Sequence, residues 1–136
     1  MNREILFRGK NENIKKWVYG SLLEFLDGDC YICKFPDNLD VDKPDALDMY
    51  AVNPETIGQY TGATDKKGEK IFEGDIIKGK GKNAYAVEYS PNIAGFIAKG
   101  FGILSRPCMN AGTVNYYEVV GNIHDNPELL GGVVNA

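Results

Sequence analysis

Two short runs, residues 56–61 and 69–72, are held apart by Asp65-Lys66-Lys67-Gly68, and this spacing constrains the chain more than any other feature. Asp in first place and Gly in fourth suit a type I turn. The carboxylate caps backbone N–H groups, and the glycine takes the positive-φ bulge position. Residues 52–78 therefore predict a hairpin, then a turn at Glu73-Gly74-Asp75 and a further strand at Ile76-Ile77-Lys78. A chain organised by short hairpins is β-rich, and its 16 glycines and 8 tyrosines point the same way.

The remaining segments read in the same style. Residues 4–8 form a short strand that ends at Gly9, and Asn11-Glu12-Asn13 is a turn cluster. Residues 17–23 pair through an Asp27-Gly28 hairpin turn with residues 30–35. Residues 36–48, dense in Asp and broken by Pro36 and Pro44, read as a loop before a strand at 49–52. Further strands are expected at 84–89, 95–99 and 116–123, and Asn126-Pro127-Glu128-Leu129-Leu130 reads as a short helix capped by Asn126. The fold class is thus mainly β, with N-terminal strands, a C-terminal SH3-like small barrel and a short C-terminal helix. A chain of 136 residues suits a single domain, with 1–52 and 53–136 as subdomains.

Hydrophobic content of 43% and charged content of 25% lie in the globular range. The net charge of −4 repels polyanions and disfavours a protein that lives on DNA through phosphate contacts. The apolar run at residues 5–7 is shorter than a secretory signal needs, and no stretch is long enough to cross a bilayer. Three cysteines, an odd number, then read as reduced thiols in a cytosol.

Four blocks together resemble the YopX-like family of phage and prophage proteins. They are Glu4-Ile5-Leu6-Phe7-Arg8-Gly9-Lys10, Trp17-Val18-Tyr19-Gly20, residues 53–78 from Asn53-Pro54-Glu55-Thr56 to Asp75-Ile76-Ile77-Lys78, and residues 117–129 around Gly121-Asn122-Ile123-His124-Asp125-Asn126-Pro127. They run through nearly the whole chain in the family's order. The resemblance implies one YopX-like domain over 1–136, a phage or prophage origin, a mostly-β fold, self-association and a place in the host cytoplasm. It carries over no catalytic residues. Ala63 departs from the pattern, since a larger apolar side chain is expected after Thr61-Gly62. Residues 26–48 and 91–115 carry little of the family pattern.

Several constellations invite chemistry. Cys30-x-x-Cys33 with Cys108 and His124 could complete a zinc set, but residues three apart on a strand point to opposite faces. The redox reading needs a helix N-terminus at the pair, and none is indicated. Asp37, Asp40, Asp42, Asp45 and Asp48 lack the glycine and closing Glu of a calcium loop. Glu73 and Asp75 could act as an acid–base pair, although a bulge at Gly74 with Asp75 bonding backbone N–H groups explains them as well. His124 has no nucleophile motif to serve.

Gly79-Lys80-Gly81-Lys82 echoes a phosphate loop without its spacing. Lys78, Lys80 and Lys82, with Tyr85 as a stacking aromatic, form the weak nucleic-acid candidate. No metal or other cofactor is expected, and no membrane partner. The order of readings is a non-enzymatic, protein-binding and self-associating accessory protein, then a nucleic-acid-associated module in phage DNA metabolism, then a metal-dependent enzyme. The partners expected are further copies of the chain and an unidentified phage or host protein.

Overall fold

Strand β2 (Lys16–Glu24) shows how the chain builds its sheets. Val18 is buried while Tyr19, Ser21 and Leu23 are exposed, the two-residue period of a sheet with one covered face. The computed structural model describes residues 3–35, 47–81, 83–100, 105–106 and 116–130. The chain divides into two compact units, Met1–Gln59 and Tyr60–Ala136, so the division falls inside a strand.

In the first unit, β1 (Phe7–Asn11), β2, β3 (Cys30–Lys34) and β4 (Asp48–Val52) form an antiparallel sheet in the order β4-β3-β2-β1. The first residues of β5 (Gly58–Thr64) add to it, with Gly58 opposite Arg8 and Gln59 opposite Phe7. Val18, Cys30, Ile32 and Val52 make its core, with Phe7, Leu22, Tyr50 and Ile57 packed against them. Short strands leave ladder groups unused, and side chains take them up. Asn53 N–H donates to Lys10 O at 2.9 Å. Asn11 Nδ2 donates to Ala51 O at 2.8 Å, and Lys10 N–H to Thr56 Oγ1 at 2.8 Å. The far end of β4 is thereby tied back to β1.

Two local expectations are corrected here. Gly9 does not end the first strand, which runs from Phe7 to Asn11. A Cβ at Gly9 would lie 2.8 Å from Val52 Cβ, so the glycine is what lets β1 approach β4. Likewise Thr56 is not in a strand: Asn53 caps a single 3-10 turn, Pro54–Thr56, by accepting Glu55 N–H on its side chain, and β5 starts only at Gly58.

In the second unit, the rest of β5 forms a hairpin with β6 (Lys70–Phe72), and Tyr60 lies opposite Phe72. A five-stranded antiparallel sheet runs in the order β10-β9-β8-β7-β11. Its strands are β7 (Asp75–Lys78), β8 (Ala84–Ser90), β9 (Gly95–Lys99), β10 (Ser105–Arg106) and β11 (Glu118–Asn122). Ile71, Ile77, Tyr85, Val87, Ala98 and Tyr117 form the core, with Ala63, Phe96 and Val119 against it. Ala63 thus packs on the core despite its small size. The expected C-terminal helix is a 3-10 turn, Pro127–Leu130. Asn126 is not its side-chain cap; its Oδ1 accepts Asn122 N–H and steadies the bulge between Val119 and Gly121.

The close approach at Gly9 gives a direct expectation. Gly9→Ala should cost about 1–3 kcal/mol, the usual range for overpacking a filled core. Urea unfolding followed by fluorescence of Trp17, the one tryptophan, reads it. Val52→Ala in the Gly9→Ala background should return part of the loss.

Candidate interaction surface

The hairpin's Asp and Gly positions are turn chemistry. Asp65 is 3% exposed, and its Oδ1 accepts Lys67 N–H at 2.8 Å and Glu69 N–H at 2.9 Å. Its Oδ2 accepts Val119 N–H at 2.9 Å, and Lys66 N–H donates to Tyr117 O at 3.0 Å. One carboxylate therefore closes its own turn and ties it to β11. Burial pushes the Asp65 carboxyl up, but the backbone donors from Val119, Glu69 and Lys67, helped by the Lys67 charge, hold it below the ordinary value.

Glu73-Gly74-Asp75 follows the same logic. Gly74 has φ +95°, a conformation glycine adopts without strain. Its N–H donates to Val87 O and its O accepts Ile123 N–H, while Asp75 Oδ2 accepts Phe72 N–H at 2.7 Å. Asp75 is buried at 3% exposure. Its hydrogen bonding to the backbone is structural, as the turn reading expects.

The cysteine pair is split by the pleat. Cys30 is buried in the core, and Cys33 is half-buried on the opposite face. Burial pushes the Cys30 thiol up, and Glu24, Asp29 and Asp27 push it further. Cys108 and the acidic residues Asp37, Asp40, Asp42 and Asp45 lie outside the described residues. Among the described residues no three His, Cys, Asp or Glu side chains converge as a metal site would need. His124 sits in an exposed turn whose N–H donates to Asn122 Oδ1.

The lysine candidates Lys78 and Lys80 flank Gly79, on which the exposed ring of Tyr116 packs. Lys78 ends β7 opposite Glu118, Lys80 is exposed in the following turn, and Lys82 lies outside the described residues. Lys67 pairs with Glu118 at 3.0 Å, which raises the lysine and lowers the carboxyl. Tyr85 is 7% exposed and meets Tyr117 edge-to-face at 5.9 Å inside the core, so its ring has no open face for a base.

What stands out is a face that sequence reading missed. In the first unit the uncovered side of β2, β3 and β4 carries Leu23, Tyr31 and Ala51 in one cross-strand row, and Ser21, Cys33 and Met49 in the next. Leu23 and Met49 are 40% and 49% exposed. Phe25, also exposed, meets Tyr31 edge-to-face at 5.4 Å, and Tyr19 and Leu26 extend the apolar area. A solvated sheet face usually alternates polar outward, and the contiguous apolar side chains here depart from that pattern. The signal was present in Tyr19 and Leu23, at odd positions of β2, but only the burial of Val18 and Leu22 shows which parity is outside.

A family model described as YopX protein matches residues 6–131. Among solved structures, the chain is similar to protein EF1440 from Enterococcus faecalis, with 23% identity and a TM-score of 0.58, over 96% of this chain and 100% of that one. It is also similar to protein yopX from Bacillus subtilis, with 19% identity and a TM-score of 0.50, over 96% of this chain and 98% of that one. At these identities the likeness bears on the fold alone. No curated protein matches the chain.

The Asp65 clamp has a pH signature. Its folded carboxyl lies below the ordinary 3.8, so its contribution is complete above that value and lost as pH falls through the lowered folded value. Asp65→Asn should cost about 1.5–3 kcal/mol at neutral pH, the range for hydrogen bonds to a charged group. It should also flatten this acid limb. Urea unfolding followed by tyrosine near-UV circular dichroism across pH 2.5–7 (about that span) checks both.

Proposed function

The chain belongs to the YopX family, and from that premise we propose that it is a phage or prophage accessory protein that acts by binding protein, itself included, and not by catalysis. The phage setting and the host cytoplasm rest on the resemblance of the four sequence blocks. The binding role rests on one observation: the apolar, uncovered face of β2, β3 and β4 around Leu23, Tyr31 and Met49. Exposed apolar surface of this kind costs solubility unless a partner covers it.

The motif carboxylates fit the same reading, since Asp65 and Asp75 are occupied by backbone N–H groups. Among the described residues no helix is long and apolar enough to cross a membrane. We also propose that the second unit curls as a small SH3-like barrel. The bonds from Lys66 to Tyr117 and from Val119 to Asp65, which carry the β5–β6 turn onto β11, support that closure.

Size exclusion with light scattering tests the self-association. A concentration-dependent mass above the 15.0 kDa of one chain is expected. A strict monomer at the highest attainable concentration would overturn it.

A further inference from the structure

In the second unit the fold gathers charges that are scattered in the sequence. Lys66 N–H donates to Tyr117 O at 3.0 Å and Lys67 pairs with Glu118 at 3.0 Å, so the β5–β6 turn lies against the start of β11. Glu118 stands opposite Lys78 in the β7–β11 ladder, and Lys80 follows two residues on. Lys66, Lys67, Lys78 and Lys80 are all exposed. Two of the acids among them are engaged: Glu118 holds Lys67, and Asp65 is buried and bonded to three backbone N–H groups. Glu69 is the exposed acid of the turn, while Glu73 and Asp75 stand at the far end of β7, where Asp75 is opposite Asn122. Four lysines against Asp65, Glu69 and Glu118 leave this end of the unit positive, in a chain whose net charge is −4.

Tyr116 adjoins both pairs of lysines. Its ring packs on Gly79, between Lys78 and Lys80, where an added Cβ would lie 2.5 Å from the ring's Cε1. The next residue is Tyr117, the acceptor for Lys66 N–H, and the two rings meet edge-to-face at 5.2 Å. These contacts hold the Tyr116 ring in place and leave it 50% exposed. A fixed, half-open aromatic ring beside exposed cations suits an unstacked base whose neighbouring phosphates meet the lysines. We infer that Tyr116 with Lys66, Lys78 and Lys80 binds single-stranded nucleic acid, through base stacking and phosphate contacts. A duplex keeps its base faces stacked inside and carries denser charge, which the acidic remainder of the chain repels. An acidic peptide would use the lysines and leave the ring idle, because a carboxylate gains nothing from the negative face of an aromatic ring.

One stacked base and three lysines make this binding weak and salt-sensitive, since Lys67 is held by Glu118. On a single strand each phosphate contact contributes about −0.7 to the slope of log affinity against log salt, so three give about −2. The lysines and Tyr116 lie in the second unit and the apolar face in the first, so this activity and the self-association stand or fall separately.

Fluorescence anisotropy of a dye-labelled oligothymidylate of about 12 nucleotides, within the span a small β-module covers, tests this on the full chain. Binding is expected at low salt, with a slope of about −2 and about tenfold less affinity for a duplex of the same length. Tyr116→Leu removes a stack and no charge, so it should lower affinity about tenfold and leave the slope unchanged. Tyr116→Phe should bind as the wild type does. Lys78→Gln with Lys80→Gln should bring the slope to about −0.7. Tyrosine near-UV circular dichroism confirms that each variant is folded. No binding at low salt would overturn the inference, and so would an unchanged slope in the lysine variant. Binding that Tyr116→Leu leaves intact would assign the lysines to an acidic partner and overturn the base stacking. If Tyr116→Leu does not fold, competition makes the same decision: polyglutamate or duplex displacing the probe as well as unlabelled oligothymidylate would overturn it.

Discussion

Short strands cannot satisfy their own backbones, and this chain resolves the shortfall with carboxylate and amide side chains. The Asp65 carboxylate is the central case: buried, it takes Lys67, Glu69 and Val119 N–H groups and so holds a turn and a distant strand together. β6 has three residues and β7 four, too few for ladder bonds alone to fix their place. Asp75 accepting Phe72 N–H and Asn126 accepting Asn122 N–H repeat the device in the second unit. Asn11 and Asn53 repeat it in the first. An unmet buried N–H costs more than a made bond returns, so losing any of these groups is felt beyond its own turn.

This explains what was legible beforehand. Asp65-Lys66-Lys67-Gly68 could be read because its bonds to Lys67 and Glu69 are local and turn chemistry is written in residue types. The bond from Val119, 54 positions away, could not be. Asn11 looked like a simple turn residue because Ala51, whose carbonyl it caps, is 40 positions on. Gly9 looked like a terminator for the same reason: its neighbour Val52 is remote in sequence. Tyr85 looked available for stacking, yet β8 lies between β7 and β9 and its Tyr85–Val87 parity faces the core.

The family signature therefore describes construction. Asp65, Gly74, Asp75 and Asn126 stand where backbone groups need a partner or a turn needs positive φ. Side chains committed to backbone N–H groups are poorly placed to take up protons or metal from a substrate, since release would unmake the turn.

The apolar face of β2, β3 and β4 is of a different kind. Core packing demands Val18, Leu22 and Ile32 on one side of the sheet, but it places no demand on Tyr19, Leu23 or Met49 on the other. Folding would tolerate polar residues there at little cost and would gain solubility. Turn bonding does not use the face either: Asp65, Asp75 and Asn126 lie in the second unit. Side chains that folding does not require are the reason this face, and not the turn carboxylates, carries the protein-binding proposal.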